Sequence, residues 1–227
     1  MCMLNNKREM NEVKVRICLC GLSGVGKSSL LRRYRTNTFD KFNESTIGAA
    51  FAILRLPIRD GGVTCVGECF DTAGQERYAP LLPMYTRNAN SIVIVGEADA
   101  GPAMAQVRAY IQQFTAERPA NCHMLNVVIN KADQYPRRVT DAIDTLQEEF
   151  SDNDIHFWIT SALTGKGVEE LFNGILHTTG NHEWRVQQEA AQARVTSPVI
   201  VLPHSSRPSM RHTLGSWLQR AHPRHWC

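Results

Sequence analysis

Across residues 13–20 apolar and polar positions alternate, with Val15, Ile17 and Leu19 on one face and Arg16, Cys18 and Cys20 on the other. Apolar character on both faces predicts a strand buried inside a sheet. A glycine-rich turn follows, then a helical pattern over 27–35. Segments 49–56 and 63–70 read as two strands, and Asp60-Gly61-Gly62 between them is a hairpin turn signal. Three further short buried strands are predicted at 91–96, 125–130 and 155–160, with helices over 102–117, 138–150 and 168–177. Strand–helix alternation with short connections predicts an α/β fold. Its sheet is six-stranded and mostly parallel, with helices on both faces and the antiparallel hairpin at one edge.

Composition shifts near Gly180-Asn181, a predicted helix stop. From residue 181 onward there is no lysine, six arginines face two glutamates, and five of the eight histidines occur with four prolines. The expected organisation is an N-terminal extension over 1–12, a folded domain over 13–180 and a largely disordered tail over 181–227. His182 to Arg194 continues a helical pattern for a few turns. The chain's 227 residues suffice for one domain with an appendage. A formal net charge of +3 is too weak a basic excess to suggest nucleic acid. No stretch approaches the ~20 apolar residues of a membrane-spanning helix, and residues 1–12 lack the apolar core of a secretory signal. Of the seven cysteines, Cys18, Cys20, Cys65 and Cys69 sit in apolar strand patterns and, with no C-x-x-C pair present, read as small buried hydrophobes of a reducing compartment rather than as metal ligands or disulfides. Cys227 stands apart from them.

The chemistry is carried by short motifs at predicted strand ends. Gly21-Leu22-Ser23-Gly24-Val25-Gly26-Lys27-Ser28 matches G-x-x-x-x-G-K-S, follows a strand and opens a helix. Glycines let the backbone curl so that successive N–H groups face phosphate oxygens beside a helix N-terminus. The phosphate-binding candidates are Gly21, Ser23, Gly24, Val25, Gly26, Lys27, Ser28 and Ser29. Lys27 would reach the β- and γ-phosphates, and the Ser28 hydroxyl would ligate Mg²⁺. Asp71-Thr72-Ala73-Gly74-Gln75 ends the next strand. There Asp71 would hold Mg²⁺, the Gly74 N–H would meet a γ-phosphate, and Gln75 would orient an attacking water. Asn130-Lys131-Ala132-Asp133 ends another strand. Asp133 can accept two hydrogen bonds from guanine, a donor pair that adenine lacks, and the stem of Lys131 can cover the base. At Ser161-Ala162, after the last strand, a backbone N–H can meet guanine O6. Ligands of open α/β sheets bind at such carboxyl ends.

Over residues 13–179 the chain resembles the Ras superfamily of small GTPases and, within it, the Rab family. The subfamily signal is Glu44-Ser45-Thr46-Ile47-Gly48-Ala49-Ala50-Phe51, joined by the string from Asp71 to Tyr78 and by Pro83-Met84-Tyr85. The first of these is similar to the early-endosomal Rab subgroup. The resemblance implies a P-loop GTPase domain that binds GTP or GDP with Mg²⁺ and switches between the two states. It also implies that Thr46 joins Mg²⁺ and the γ-phosphate, and that Phe39, seven residues earlier, lies against guanine rather than in the core. The segments around Thr46 and Gly74–Tyr78 would meet an exchange factor, a GTPase-activating protein and effectors, and the protein is expected to be a monomer found in the cytoplasm and at the cytoplasmic face of endosomal or vesicle membranes. Four features depart from the family: Phe70 replaces the usual Trp, Leu163 a common Lys, Val95-Gly96-Glu97 the usual Tyr-Asp, and the turn over 59–62 is slightly longer.

Rab proteins carry lipid on C-terminal cysteines. This sequence ends His225-Trp226-Cys227, which is not a C-a-a-X box, and the resemblance implies geranylgeranyl transfer to Cys227. Met210, Leu214, Trp217, Leu218 and Ala221 follow helical spacing and could form an interfacial stripe; a solvated tail is the other reading. Two alternatives stay open on sequence alone: a soluble GTPase of another Ras-superfamily branch, and a GTP-binding scaffold with little turnover.

Overall fold

Strands β1 (Glu12–Cys20), β2 (Ala49–Ile58), β3 (Val63–Thr72), β4 (Ser91–Glu97), β5 (Met124–Asn130) and β6 (Ile155–Ile159) form one sheet in the order β2-β3-β1-β4-β5-β6. The computed structural model describes residues 12–42, 45–60, 62–98, 101–151 and 154–196. β2 runs antiparallel to β3 at the edge, and every other pairing is parallel. Helices α1 (Lys27–Thr36), α2 (Leu82–Thr86), α3 (Pro102–Ala116), α4 (Pro136–Glu149) and α5 (Val168–Thr196) complete the chain, with a 3₁₀ turn at Glu76–Leu81 before α2. This is the predicted α/β P-loop GTPase architecture.

β1 shows why its alternation was two-sided. Val13, Val15, Ile17 and Leu19 enter one core with Leu30 of α1 and with Leu171, Phe172 and Ile175 of α5. Cys18 and Cys20 enter the other, with Val107 and Ile111 of α3 and with Val139 and Leu146 of α4. Each fully buried Leu, Ile or Phe side chain contributes about 1.5–3 kcal/mol of transfer free energy. Cys18, Cys20, Cys65, Cys69 and Cys122 are free and buried. Burial pushes the Cys20, Cys65 and Cys69 thiols up to about 12, so they act as apolar fillers.

Local signals place the element ends. α1 stops at Asn37, whose φ of 52° is left-handed and whose N–H donates to the Arg33 carbonyl. The β2–β3 hairpin turns through Arg59 and Asp60, with φ of 53° and 56°, and Gly62 N–H closes it on Arg59 O at 3.1 Å. The left-handed positions thus begin one residue before the glycine-rich signal.

The expected helix stop at Gly180-Asn181 is not where α5 ends. The helix continues to Thr196, because Gly180 is a close-contact residue rather than a cap. A β-carbon there would come 2.8 Å from Cys65 Sγ. Just beyond, Trp184 lies against the core and Asn90 Nδ2 donates to Glu183 Oε1 at 2.8 Å. Burial on the next turn therefore overrides a composition signal. The interfacial stripe over 210–221 and the tail's final residues lie outside the described residues.

Candidate functional site

The P-loop motif forms the turn between β1 and α1. Gly21 has φ of 140°, and a β-carbon there would meet Val95 O at 2.1 Å. Gly26, the N-cap of α1, has φ of 97°, and a β-carbon there would meet Asn130 Nδ2 at 2.3 Å. Both positions therefore need glycine, on conformation and on space. The α1 N-terminus carries no side-chain cap and no acidic residue in its first turn, so its partial positive charge faces the cleft. Lys27 is 6% exposed and donates to the carbonyls of Gly21 (2.9 Å) and Leu22 (2.8 Å). Burial lowers the pKa of its ammonium, and the Asp71 carboxylate pulls it back.

Beside Lys27, the hydroxyls of Ser28 and Thr46 lie 2.9 Å apart. Beneath them sits Asp71, 2% exposed, whose Oδ1 is buried with no hydrogen-bond partner. Burial pushes its carboxyl above the usual carboxylate range, with the Ser28 hydroxyl and the Lys27 ammonium opposing. Two converging hydroxyls and an orphaned buried carboxylate oxygen form an all-oxygen donor set of the kind a hard divalent cation takes. The residues present therefore fit Mg²⁺.

The far end of the cleft is organised by Asn130, 1% exposed. Its Nδ2 donates to Val25 O at 2.9 Å, and its Oδ1 accepts from Thr160 Oγ1 (3.2 Å) and from Ala162 N–H (3.1 Å). One side chain thus ties the P-loop to the loop after β6. The Ala162 N–H is already paired, so it can serve guanine O6 only as a shared donor. Ser161 Oγ donates to Asp133 Oδ1 at 2.5 Å, which orients the carboxylate. Lys131 has a left-handed φ of 62°, and its Nζ pairs with Glu97 at the end of β4. The departure at Glu97 therefore supplies a carboxylate for the lysine. Leu163, the other departure here, is exposed on the cleft rim, and its carbonyl accepts from Arg33 Nη2 at 2.6 Å. Arg33 Nε also donates to Ala162 O at 2.8 Å.

Lys27, Ser28, Thr46, Asn130, Lys131 and Asp133 all line one cleft of about 330 Å³. Ser23, Gly24, Gly26, Lys27, Ser28, Ser29, Thr46 and Gly74 face it at one end, and Phe39, Asn130, Lys131, Asp133 and Ala162 at the other. Phe39 is in neither core cluster. Gly21, Val25, Asp71 and Ser161 are not among the lining residues and stand behind them as supports. Gln75 is also outside; it borders an adjoining groove with Gly48, Tyr78 and Tyr110. Gly74 borders both spaces, and its carbonyl accepts from Ser23 N–H at 3.0 Å. Cys227 lies outside the described residues.

Sequence reasoning missed Asp40, Lys41, Ser45 and Gln134, which also line the cleft. Their adjacency to Phe39, Thr46 and Asp133 was an available signal. Arg33 had none, since its partners lie 129 and 130 residues away.

The sequence model of the Ras family matches residues 16–181. The chain belongs to the Ras family. GTP-binding protein ypt5 of Schizosaccharomyces pombe is 36% identical over 176 residues, covering 76% of this chain and 82% of that protein. Ras-related protein RABF2b of Arabidopsis thaliana is 37% identical over 160 residues (70% and 78%), and Ras-related protein Rab5 of Nicotiana tabacum is 36% identical over 167 residues (73% and 80%). Within the Ras family the chain is thus a divergent Rab, similar to the early-endosomal members. It is a small GTPase that binds guanine nucleotide, hydrolyses GTP and regulates vesicle traffic. No helix among the described residues is long and apolar enough to cross a membrane.

Proposed function

We propose that this Rab-type GTPase is a Mg²⁺-dependent switch read by effectors at endosomal membranes. The observation that carries the proposal is the pairing, in one cleft, of the Lys27, Ser28, Thr46 and Asp71 group with the Asn130 and Asp133 group. The first suits a charged polyphosphate and the second a guanine. The α1 amides and Lys27 bind phosphate oxygens. Asp133 accepts from the guanine edge, and Phe39 and the Lys131 stem cover its faces. Ser28, Thr46 and Asp71 would hold Mg²⁺, whose charge offsets that of the phosphates. Gln75 orients the attacking water, entering from the neighbouring groove as the segment from Gly74 to Tyr78 closes. Among the described residues no arginine lines the cleft, which supports slow intrinsic turnover. An activating protein's arginine accelerates such reactions by about 10³–10⁵.

Phe51, itself exposed, Phe70 and Tyr85 form an aromatic ladder with ring centroids 5.3 and 5.7 Å apart, and the exposed Ile47 and Met84 stand near Phe51 and Tyr85 in the chain. An apolar surface beside both nucleotide-sensing segments suits an effector. In this reading residues 13–180 form the GTPase domain, which acts as a monomer. Residues 181–227 lead from the α5 extension to a geranylgeranylated Cys227. A single lipid gives only marginal, reversible anchoring, suited to cycling on and off membranes.

Two measurements test this. D133N should weaken GDP binding by at least about 10²-fold relative to ADP, because a carboxylate acceptor becomes a mismatched donor; undiminished guanine preference overturns the base assignment. Wild type should partition onto vesicles and C227S should be cytosolic, whereas equal solubility removes the lipid anchor.

A further inference from the structure

A second cluster lies at the opposite end of the sheet from the nucleotide cleft. His123 immediately precedes β5, whereas the cleft residues follow the strands' carboxyl ends. His182 and Glu183 are neighbours on α5, just past Gly180. The His123 and His182 rings stack with centroids 3.7 Å apart and planes inclined by 28°. His123 Nε2 lies 2.5 Å from Glu183 Oε1, the oxygen that also accepts from Asn90 Nδ2. Asn90 is itself fixed: its Oδ1 accepts from Arg16 N–H at 2.7 Å and its carbonyl from His123 N–H at 3.0 Å. His182 Nδ1 is buried and has no hydrogen-bond partner. One nitrogen from each histidine and one Glu183 oxygen all lie within 4.8 Å of one another.

Nothing in GTP binding or hydrolysis uses these groups. A buried imidazole nitrogen without a partner is a destabilising feature that a ligand would relieve. Two imidazole nitrogens and one carboxylate oxygen are a donor set that zinc accepts, with a water in the fourth position. Imidazole donors disfavour Mg²⁺ and Ca²⁺, which take oxygen. Ligand bonds of about 2.0–2.2 Å set tetrahedral donors about 3.3–3.6 Å apart. The most distant donors must therefore close by about 1 Å, the His123 Nε2–Glu183 Oε1 pair must open from 2.5 Å, and the stacked rings must turn until their nitrogens converge. These movements are within reach of side chains on one helix and one loop. Asn90 supplies the outer hydrogen bond that zinc sites use to fix a ligating side chain.

We propose that His123, His182 and Glu183 bind one Zn²⁺ ion, which pins the extension of α5 beyond Gly180 to the loop before β5. This site is independent of the nucleotide cleft.

The test is calorimetric titration of the full-length, Mg²⁺·GDP-loaded protein with Zn²⁺, set beside H123Q, H182Q, E183Q and N90A. The terminal segments hold other histidines and cysteines, but these are common to all variants, so the difference between wild type and variant isolates the site. Wild type should bind one equivalent more tightly than each ligand variant by at least about 10²-fold, and than N90A by about 10–100-fold. Co²⁺ should give the intense visible absorption of a tetrahedral centre in wild type and not in H182Q. GDP affinity, which the site does not touch, reports whether each variant is folded; E183Q, which keeps an oxygen for Asn90, serves if a histidine variant is not. Zinc uptake and cobalt spectra unchanged in the folded variants overturn the proposal and leave His123–Glu183 as a hydrogen-bonded pair alone.

Discussion

The hydroxyl oxygens of Ser28 and Thr46 lie 2.9 Å apart although the residues are 18 positions apart in the chain. One belongs to the first turn of α1 and the other to the segment entering β2. Their contact places the segment around Thr46 against the phosphate end of the cleft. A divalent ion that takes both hydroxyls as ligands would convert this single contact into a nucleotide-dependent latch.

Removal of Mg²⁺ with a chelator should therefore speed GDP release, and S28A should show much of the same effect with Mg²⁺ present. A hydroxyl bonded to a charged partner contributes about 1.5–3 kcal/mol, so nucleotide affinity should fall by about 10–100-fold. Stopped-flow release of a fluorescent GDP analogue measures this. Release from S28A at the wild-type rate would remove Ser28 from the ligand set.

Asp71 gives a pH signature. Burial raises its carboxyl pKa in the folded protein, so below the usual carboxylate range both folded and unfolded forms are protonated and Asp71 imposes no charge penalty. As pH rises from about 4 through the raised folded value, the unfolded chain releases its proton first. Stability of the nucleotide-free protein then falls across that window. D71N should accordingly melt higher than wild type at pH 7 without nucleotide, and the gap should close at pH 4. In Mg²⁺ and GDP the order should reverse, because the wild-type carboxylate gains a cation. Thermal melts at the two pH values decide it.

Q75L should slow single-turnover GTP hydrolysis while leaving GDP affinity unchanged. Loss of one hydrogen bond to a charge-bearing transition state corresponds to about 10–100-fold. Gln75 stands in the groove next to the cleft, so its substitution spares the binding contacts. An unchanged rate would assign water positioning to another group.

N130A should damage stability and binding together. It leaves the buried Val25 carbonyl and Ala162 N–H without their side-chain partners. At about 1–3 kcal/mol for each unsatisfied group, the loss is about 2–6 kcal/mol, or roughly 4–24 °C in melting temperature for a domain of this size. Excess GDP should recover only part of it. A melt within 1 °C or so of wild type, against a shift of about 2–4 °C per kcal/mol, would show that the bridge is dispensable.

The sequence alone determined a great deal here, because the information was local. Period-two alternation marked β1, and four short motifs marked the turns where backbone amides, a lysine and two carboxylates had to sit. Their strand–motif order specified the sheet and the ligand class before any contact was known. Burial and long-range pairing decided the rest. Gly180-Asn181 carries a stop signal, yet Cys65, Trp184 and Glu183 hold the helix through it. Glu97 looked like a lost family feature until β4 and β5 aligned it beside Lys131. Arg33 reaches carbonyls about 130 residues away, and His123 meets His182 only because α5 crosses the base of the sheet. Backbone preference and turn chemistry can be read from neighbours along the chain, whereas the partner of a side chain is set by which distant segment the core brings to it.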